Sequence, residues 1–599
     1  MKKYMYLLIV LMIILCAGCT KSNDRLDKGR NMKKIGNMVT AGETIKDDSV
    51  FGENVIVFSP QDKKKNIQDK IDEIYKSQES NQFGDERYAI LFKPGIYSKK
   101  LEVNVGFYTQ VSGLGEKPTD TNVNKLWVNA NWMDHNATCN FWRSVENFSI
   151  NEFCMWANSQ AVSMRRISSE ADMLLCDRRG WSSGGFIADS KFKGTVASGT
   201  QQQYMSRNTE WKSWDGGVWN MVFVGIDKSL MPQGEWPERP FTKVENTPKI
   251  QEKPYLMYDE KNGYGVMVPE LRTNCNGVSW KDEQKGIFYS LNTFYIAKPD
   301  KDNADSINKA LEEGKNVLFT PGIYKIDKAL EVKYEDTIIY GMGLATLVAT
   351  NGNACIKTAD EDGIKVCGLL LEAGEKESDT LLQVGDKKAK TDHGKNPIAL
   401  SDLFFRVGGG KYAGKVKNCV IINSNDVIGD DFWVWRADHS QNVGWDINKA
   451  ANGIIINGDN VTMYGLFVEH FEEYQTIWNG ENGQLYFYQS EMPYDVPDQD
   501  EYKSHNGKVN GYASVKVADN VKTFNGYGIG VYCCNYRADI EQFSAVEVPK
   551  RKGVALHNVV TVNLHDKGQI THGVNDQGEA TSNVGTPYRI MEYENGLIK

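Results

Sequence analysis

One order of short motifs occurs twice in this chain, and it restricts the fold more than any other feature of the sequence. In each copy a helix candidate precedes the tetrapeptide Pro-Gly-Ile-Tyr, and a short Leu-Glu-Val strand and a Gly-x-Gly turn follow it. The tetrapeptides begin at Pro94 and Pro321, and the helix candidates cover residues 66–80 and 303–314. Since the motifs keep their order and almost the same spacing, the sequence predicts two copies of one structural unit.

A shorter repeat lies within the second copy. The segment 457–460, with the sequence NGDN, recurs 22 residues later as NGEN at 479–482. Each segment is followed by a strand-like run of aromatic and β-branched residues. One turn and one strand per period indicate consecutive coils of a parallel β-helix, in which equivalent positions of adjacent coils lie about 4.8 Å apart.

The helix candidates before Pro94 and Pro321 resemble the N-terminal caps of pectate-lyase-like right-handed β-helices. Such a helix covers the first coil, whose free edge would otherwise pair with other chains. The predicted fold is therefore all-β, with two tandem right-handed parallel β-helices, each opened by a short capping helix. The cleft between two such β-helices is a usual place for a ligand site.

The predicted domain boundaries follow from these repeats and from local composition. Residues 50–226 are predicted to form the first β-helix domain and residues 291–599 the second. Residues 227–290 are predicted to be a connector, because prolines, which suit loops and edges rather than central strands, cluster near its start. Residues 19–49 are polar and are expected to form a tether.

The first residues of the chain have the features of a secretion signal. Two lysines, an apolar run and the segment 15–19, LCAGC, resemble the signal and lipobox of bacterial lipoproteins. The resemblance implies that residues 1–18 are a signal peptide, that cleavage precedes Cys19, and that the Cys19 thiol carries lipid. An ordinary secretory signal is the alternative. We expect a lipid-anchored protein at the cell surface, extracellular or in the outer envelope.

Charge and cysteine content argue against several classes of function. The chain has 69 basic and 78 acidic residues, and its net charge of −9 disfavours nucleic acid and fits a neutral ligand. Nine cysteines remain besides Cys16 and Cys19, an odd number with no CxxC spacing, so a disulfide scaffold is not indicated. The eight histidines show no metal-like spacing. We expect a monomer that binds no metal, cofactor or nucleic acid.

Two glutamates occupy equivalent positions of the shorter repeat. Glu469 in the first period corresponds to Glu491 in the second, again 22 residues later. On adjacent coils two carboxylates cannot both ionise cheaply, so the pKa of one of them should rise. A carboxylic acid that stays protonated near neutral pH can protonate the leaving oxygen of a glycoside. The pair therefore predicts a glycosidase, although Glu491 alone would also fit an exposed strand end.

Aromatic and acidic residues are concentrated just before this pair. Trp433 and Trp435 lie near Asp438, and aromatic faces stack on sugar rings while carboxylates accept hydrogen bonds from sugar hydroxyls. Packing under a loop is the alternative for both tryptophans. The adjacent aspartates at 430–431 resemble those of the polygalacturonases, glycoside hydrolase family 28, but the motifs expected after them are missing. His439 and His470 are further candidates for acid or base.

Several local sequences, in this order along the chain, are similar to glycoside hydrolase family 55, the β-1,3-glucanases with two β-helices in one chain. The similar stretches are residues 156–161, 181–190, 201–203, 433–438 and 469–494. The match extends from about residue 50 to residue 580. It rests on the order of these blocks rather than on a short diagnostic motif.

The resemblance implies an exo-acting, inverting enzyme that releases glucose from the ends of β-1,3-glucan such as laminarin. It implies that Glu491 is the general acid and that Glu469 helps to place the attacking water or to relay its proton. Gln160 and Ser183 of the first domain would hold that water. The implied substrate-binding residues are Trp433, Trp435, Asp438, Tyr494 and Gln203.

The geometry of the carboxylates leaves one point of this mechanism open. Carboxylates on adjacent coils would lie near the ~5–5.5 Å separation associated with retention, whereas inversion usually needs ~6.5–9.5 Å. Inversion would therefore need the facing domain to hold the water, and the proton acceptor is not identified. Two other functions stay open: a polysaccharide lyase or polygalacturonase-like enzyme on the same fold, and a glycan-binding lipoprotein without catalysis.

Overall fold

The computed structural model describes residue 30 and residues 32–282 and 285–599, and it is built almost entirely of β-strands. Within this part of the chain, two sets of parallel sheets follow one another along the sequence. The chain passes back and forth between inner and outer strands in each set; these form two sheets in the C-terminal set and are hydrogen-bonded into one 16-stranded sheet in the N-terminal set, whose two parts we also call the inner and the outer sheet. We call the two sets the N-terminal stack (residues 55–244) and the C-terminal stack (residues 294–598).

The inner sheets of the two stacks are long and parallel. Strands of the N-terminal inner sheet are Val55–Phe58, Tyr88–Phe92, Thr109–Gly113, Arg143–Ile150, Val162–Ser169, Phe186–Ala188, Gln203–Arg207, Asn220–Val224 and Phe241–Val244. Strands of the C-terminal inner sheet are Phe294–Ala297, Asn316–Phe319, Ile338–Gly341, Lys365–Ala373, Ala399–Val407, Ile428–Arg436, Thr462–Glu469, Gly483–Glu491, Phe524–Cys533 and Val554–Asn563. Two antiparallel strands, Tyr588–Glu594 and Leu597–Ile598, and two parallel strands, Ile323–Ile326 and Thr346–Ala349, complete the second sheet.

The outer sheets are made of the strands that alternate with these. Strands of the N-terminal outer sheet are Thr121–Val128, Cys154–Trp156, Met173–Leu174, Lys191–Ala197 and Glu210–Asp215. Strands of the C-terminal outer sheet are Leu330–Val332, Ile356–Thr358, Leu382–Val384, Val416–Ile422, Ala450–Ile456, Thr476–Trp478, Val515–Val517, Glu541–Glu547 and Gln569–Val574. Each stack encloses its own apolar core.

The duplicated motifs open both stacks, as the sequence predicted. Helix α1 (Lys64–Gln78) and helix α2 (Ala304–Glu312) precede them, and Ile67, Ile71 and Ile74 are buried on one face of α1. The tyrosine of each Pro-Gly-Ile-Tyr segment makes equivalent hydrogen bonds. Tyr97 donates its hydroxyl to the carbonyls of Phe58 and Lys93, and Tyr324 donates to those of Ala297 and Thr320. The two copies therefore agree in atomic detail.

The structure differs from the predicted boundaries around the connector. Phe241–Val244 pairs in parallel with Asn220–Val224, so the first stack extends past residue 226. The rest of the connector forms a small mixed sheet that also takes in part of the predicted tether. Its strands are Lys33–Ile35, Met38–Thr40, Gly286–Ser290, Gly263–Pro269 and Tyr255–Asp259, with a separate hairpin of Thr247–Gln251 and Leu271–Cys275.

Most of the space between the stacks is filled rather than open. Phe141, Trp142 and Phe186 of the first stack pack against Trp433 and Phe467 of the second in one apolar cluster. The predicted cleft is therefore closed over much of its length, because both inner sheets place large apolar side chains towards each other. Polar groups that remain near solvent lie at the rim, where the strands of the C-terminal inner sheet end.

A column of left-handed residues decides which side chains reach this interface. One residue at the same register position of each long C-terminal inner strand has φ between 51° and 71°: Gly368, Asp402, Asp431, Gly465, Phe487, Gly528 and Asn558. Such a residue interrupts the alternation of a strand. In Ile428–Arg436, Ile428 and Trp433 both face the N-terminal stack while Phe432 faces the core.

Some predictions concern residues outside the described part. The signal peptide 1–18 and the lipidation of Cys19 lie there. Among residues 30, 32–282 and 285–599, neither helix has the length and apolar character needed to cross a membrane.

Candidate active site

Glu469 and Glu491 lie side by side at the ends of neighbouring strands. They pair directly in the register of Thr462–Glu469 with Gly483–Glu491, as the 22-residue repeat predicted. The turns of the repeat stack in the same way, since Asn479 donates its side-chain amide to Asn457 at 2.7 Å. Strand spacing therefore places the two carboxylates about one inter-strand distance apart, on the face that meets the N-terminal stack.

Glu469 is enclosed by protein on all sides, with 2% of its surface exposed. The side-chain amide of Gln160 donates to one carboxylate oxygen at 2.8 Å, and the Trp433 indole donates to the other at 2.7 Å. Burial and the neighbouring charge of Glu491 raise the pKa of Glu469 well above its usual value. Both oxygens of Glu469 are thus occupied by donors that cannot themselves accept a proton.

Glu491 is only half-buried and has more adaptable neighbours. The amide of Gln489 donates to one of its oxygens at 3.1 Å, and the Tyr494 hydroxyl donates to the other. Burial raises the pKa of Glu491, and the charge of Asp438 adds to this rise while His470 and Tyr494 oppose it. Of the two carboxyls, Glu491 is therefore the one that a ligand can reach.

The N-terminal stack contributes a chain of neutral side chains. The Gln203 side-chain amide donates to the backbone carbonyl of Ser183 at 2.8 Å. The Ser183 hydroxyl donates to the side-chain carbonyl oxygen of Gln160 at 3.2 Å. Gln160 in turn donates to Glu469. The structure therefore brings Gln160, Ser183 and Glu469 together across the interface, whereas Gln203 acts one step further away by fixing the Ser183 backbone.

Asp438 lies at the rim beside two histidines, with 22% of its side chain exposed. Nδ1 of His439 lies 2.9 Å from Asp438 Oδ1, and Nε2 of His470 lies 3.7 Å from the same oxygen. Although burial opposes it, these two histidines lower the pKa of Asp438 to about 2. Against its own burial, His439 has its pKa raised to about 10 by the hydrogen bond to Asp438. Asp438 is thus a fixed anion next to the carboxylate pair.

Trp433 and Trp435, which the sequence predicted to stack on sugar rings, are buried instead. Each is 1% exposed, and their rings stack on each other at 4.6 Å. Phe141 covers both rings, and Phe83 stacks on Trp435. A sugar cannot stack on either ring in this arrangement, because other rings already cover them. Trp433 instead holds Glu469 through its indole N–H.

The aspartates at 430–431 are also remote from solvent. Asp430 is 0% exposed and forms ion pairs with Arg165 and Arg207, and Asp431 is 1% exposed. These contacts are incompatible with the polygalacturonase-like interpretation, in which both aspartates would face the substrate.

The rim is closed at one end and open at the other. At the closed end Gln82 of the N-terminal stack contacts His439 at 2.7 Å, and Phe83 stacks on Trp435. At the other end, beyond Glu491 and Tyr494, Tyr536 is 55% exposed. A ligand that enters along the rim therefore meets the carboxylate pair just before the closed end.

Two residues of this site, Gln489 and Arg436, had no role predicted from the sequence. Gln489 precedes Glu491 by two positions and so shares its face of the strand, which strand periodicity indicates. Arg436 contacts Asp495 through two nitrogens, at 3.0 and 2.9 Å, and donates to the His470 carbonyl, which ties the loops of three coils together. Only the three-dimensional structure shows this second arrangement, since its partners are far apart in the sequence.

Metal and thiol chemistry have no assembled site in the described ranges. No group of three or more histidine, cysteine or acidic residues suited to hold a metal ion occurs among residues 30, 32–282 and 285–599. All nine cysteines in this part are free.

Comparisons with known proteins agree with a carbohydrate-active site. Residues 294–491 match the family described as LAM55 pectate lyase-like domain. The chain is 44% identical over 551 residues to an exo-β-1,3-glucanase of Streptomyces sp. SirexAA-E, covering 91% of this chain and 89% of the relative. The structure of sacteLam55A from that organism superposes with a TM-score of 0.87 at 44% identity, covering 92% of this chain and all of the other. A glutamate-to-alanine variant of sacteLam55A in complex with glucose superposes with the same TM-score at 43% identity and the same coverage.

Proposed function

Because this chain belongs to glycoside hydrolase family 55 and is a β-1,3-glucan hydrolase, we propose that it acts from the chain end, inverts the anomeric centre and releases glucose from laminarin-like glucans. One observation carries the proposal: Glu469 of the carboxyl pair accepts a hydrogen bond from Gln160 of the other stack. Acid and water-holding groups then approach a sugar from opposite sides.

The closed end of the rim supports action at chain ends. The contacts of Gln82 with His439 and of Phe83 with Trp435 block the path one coil beyond Glu469. Room for a single terminal glucose is expected between this block and the reacting bond, with Asp438 and Tyr494 beside it. An enzyme that cuts within a chain would need the rim to be open on both sides.

Glu491 is the general acid in this proposal. It is the exposed member of the pair, and its raised pKa keeps it protonated at higher pH than an ordinary glutamate. The Tyr494 hydroxyl beside it can accept a hydrogen bond as well as donate one. A proton on Glu491 is therefore compatible with its surroundings and can pass to the leaving oxygen.

In the proposed reacting state Glu491 holds the proton, and Glu469 is ionised although burial raises its pKa well above the usual value. Its two fixed donors, the amide of Gln160 and the indole of Trp433, favour the charged form. In this proposal Ser183 and Gln160 hold the attacking water, and its proton passes to a remaining lone pair of a Glu469 oxygen as the C–O bond breaks. One proton thus leaves Glu491 and one arrives at Glu469, and transfer between these neighbours restores the starting state.

The proposal also includes the exact type of β-helix fold. The alternation between parallel inner and outer sheets, opened by α1 and α2, supports two tandem right-handed parallel β-helices with capping helices. The N-terminal sequence supports a lipoprotein anchored at the outer surface of a membrane, and we propose that the protein is a monomer. A lipid anchor at the outer surface would hold the enzyme where the open end of the rim can meet an extracellular polysaccharide.

The products of laminarin hydrolysis test the proposal. We expect glucose as the first and only early product by chromatography, and its α-anomer to appear first in proton nuclear magnetic resonance spectra. Early oligosaccharides would contradict action at chain ends. Initial β-glucose would contradict inversion and would favour Glu469 as a nucleophile.

A further inference from the structure

Five residues form a row along the rim of the C-terminal stack, which we call the rim row: Asp438, His470, Tyr494, Tyr536 and His565. Each follows the inner-sheet strand of a successive coil, so neighbours in the row are separated by about one strand spacing. Asp438 lies at the closed end. Tyr536 and His565 lie beyond Glu491 towards the open end.

The last four members of the rim row are rings in continuous contact. Ring centroids of His470 and Tyr494 are 4.4 Å apart, those of Tyr494 and Tyr536 are 5.2 Å apart, and those of Tyr536 and His565 are 5.2 Å apart. Each contact is edge-to-face, with interplanar angles of 62°, 80° and 82°. Edge-to-face contacts fix the orientation of each ring.

Tyr536 is both exposed and held in place. It has 55% of its surface exposed, and its ring makes edge-to-face contacts with the rings of Tyr494 and His565. The Tyr536 backbone N–H donates to the Tyr494 carbonyl at 3.2 Å. The Lys567 ammonium donates to the Tyr536 carbonyl at 3.0 Å. The Tyr536 ring is thus held in one orientation at the rim, where a ligand can reach it.

We propose that Tyr536 is the platform for the leaving glucosyl unit, the first sugar on the far side of the reacting bond, and that His565 contacts the next unit. This inference rests on the proposed function, because it takes Glu491 as the acid. Tyr536 follows the strand adjacent to Glu491, so a sugar bonded through an oxygen at Glu491 lies over Tyr536. The apolar face of a pyranose ring suits an exposed aromatic ring.

The surroundings favour a neutral sugar over other ligands. Tyr532 pairs with Glu491 in the sheet, and its ring lies 5.4 Å from that of Trp219; with exposures of 1% and 8%, the two close the interface beside Glu491 with apolar surface. The exposed apolar surface is a single ring rather than a broad patch, which does not suit a protein partner. The rim row therefore extends the site by one or two glucosyl units beyond the reacting bond.

Two substrates separate this role from damage to the catalytic centre. Laminaritriose places sugars on both sides of the reacting bond, whereas β-glucosyl fluoride occupies only the glucose position and loses fluoride. We expect Tyr536→Ala to lower kcat/KM for laminaritriose about tenfold and to leave kcat/KM for β-glucosyl fluoride within about twofold. Tyr536→Phe keeps the ring and should match the unaltered protein on both substrates.

Two further variants make the result decisive. Tyr536→Leu keeps apolar volume against Tyr494 and should lose activity on laminaritriose as Tyr536→Ala does, even if the alanine variant folds poorly. Phe543→Ala removes another exposed aromatic residue, 37% exposed on the outer sheet, and should change neither rate. Unchanged laminaritriose hydrolysis by Tyr536→Leu, or equal losses on both substrates, would overturn the proposal. Failure of the unaltered protein to cleave laminaritriose would instead refute the proposed function.

Discussion

Two groups of buried carboxylates lie on the same face of the C-terminal inner sheet, and they behave in opposite ways. One group lies in the middle of the interface and consists of Asp402, a member of the left-handed column, and Asp430, which directly precedes Asp431 of that column. The other group, Glu469 and Glu491, lies at the strand ends. Both groups face the N-terminal stack, so the sheet alone does not explain the difference.

The partners from the N-terminal half explain it. Arg165 contacts both Asp402 and Asp430 at 2.6 Å, and Arg207 contacts Asp430 and Glu252. Against the effect of burial, these guanidinium groups hold the pKa of Asp402 below its usual value and lower that of Glu252 to about 2. Ion pairs of the first group with these arginines thus join the two halves of the molecule.

Glu469 and Glu491 meet an amide, an indole and a hydroxyl instead of arginine. With no full positive charge in direct contact, burial dominates and the pKa of each carboxyl rises. A carboxyl that titrates near working pH can exchange protons, whereas one bound by arginine cannot. The comparison shows that the charge of the facing side chain, rather than burial, separates structural from catalytic acids here.

The largest expected effect comes from removing the reactive acid. Glu491→Gln keeps the shape and the hydrogen bond to Tyr494 but cannot supply a proton. We expect kcat/KM for laminarin to fall by about 10³-fold or more, within the range for loss of general acid catalysis. Thermal unfolding should be unchanged, and full activity in this variant would remove Glu491 from the mechanism.

A loss of stability rather than activity is expected in the first group. Arg207→Met leaves Asp430 and Glu252 buried with one cation fewer, and breaking such a pair costs about 3–5 kcal/mol. Denaturant titration should show that loss while kcat of the folded fraction is retained. Lys193→Met, which removes the exposed ion pair with Glu170, is the control, and its cost should be below about 1 kcal/mol. A large fall in kcat for Arg207→Met would contradict the separation of the two groups.

The smallest effect tests a single donor to Glu469. Trp433→Phe keeps most of the ring packing but removes the indole N–H, which lowers the pKa of Glu469. Without it that pKa rises further, so Glu469 ionises only at higher pH and the acidic limb of the pH–rate profile should move to higher pH. We expect about a tenfold lower kcat/KM near the old limb, consistent with one hydrogen bond to a charged group.

Trp142→Phe is the matched control for this variant. Its ring lies 4.8 Å from that of Trp433 in the same cluster, and within the described residues its indole N–H has no hydrogen-bond partner. It should leave the acidic limb in place. An equal shift in both variants would show that ring packing, and not the hydrogen bond, controls Glu469.

Local periodicity was enough to predict the pairing of the two glutamates. The 22-residue repeat places Glu469 opposite Glu491 because each coil of a parallel stack returns the chain to the same register. The same repeat could not show that the tryptophans before them are buried, since burial of Trp433 and Trp435 depends on Phe83 and Phe141 from the other stack. Side-chain type indicated sugar binding there, and packing across the interface decided otherwise.

The sequence by itself determined the strand order, the duplicated opening of each stack and the position of the acid pair, because these depend on contacts between neighbouring coils. Tertiary structure alone decided that the gap between the stacks is filled, that arginines hold one set of acids and neutral donors the other, and that only one end of the rim is open. Those features come from residues hundreds of positions apart, such as Gln160 with Glu469. No local pattern records them, because each half of the contact is compatible with many partners until the two stacks pack together.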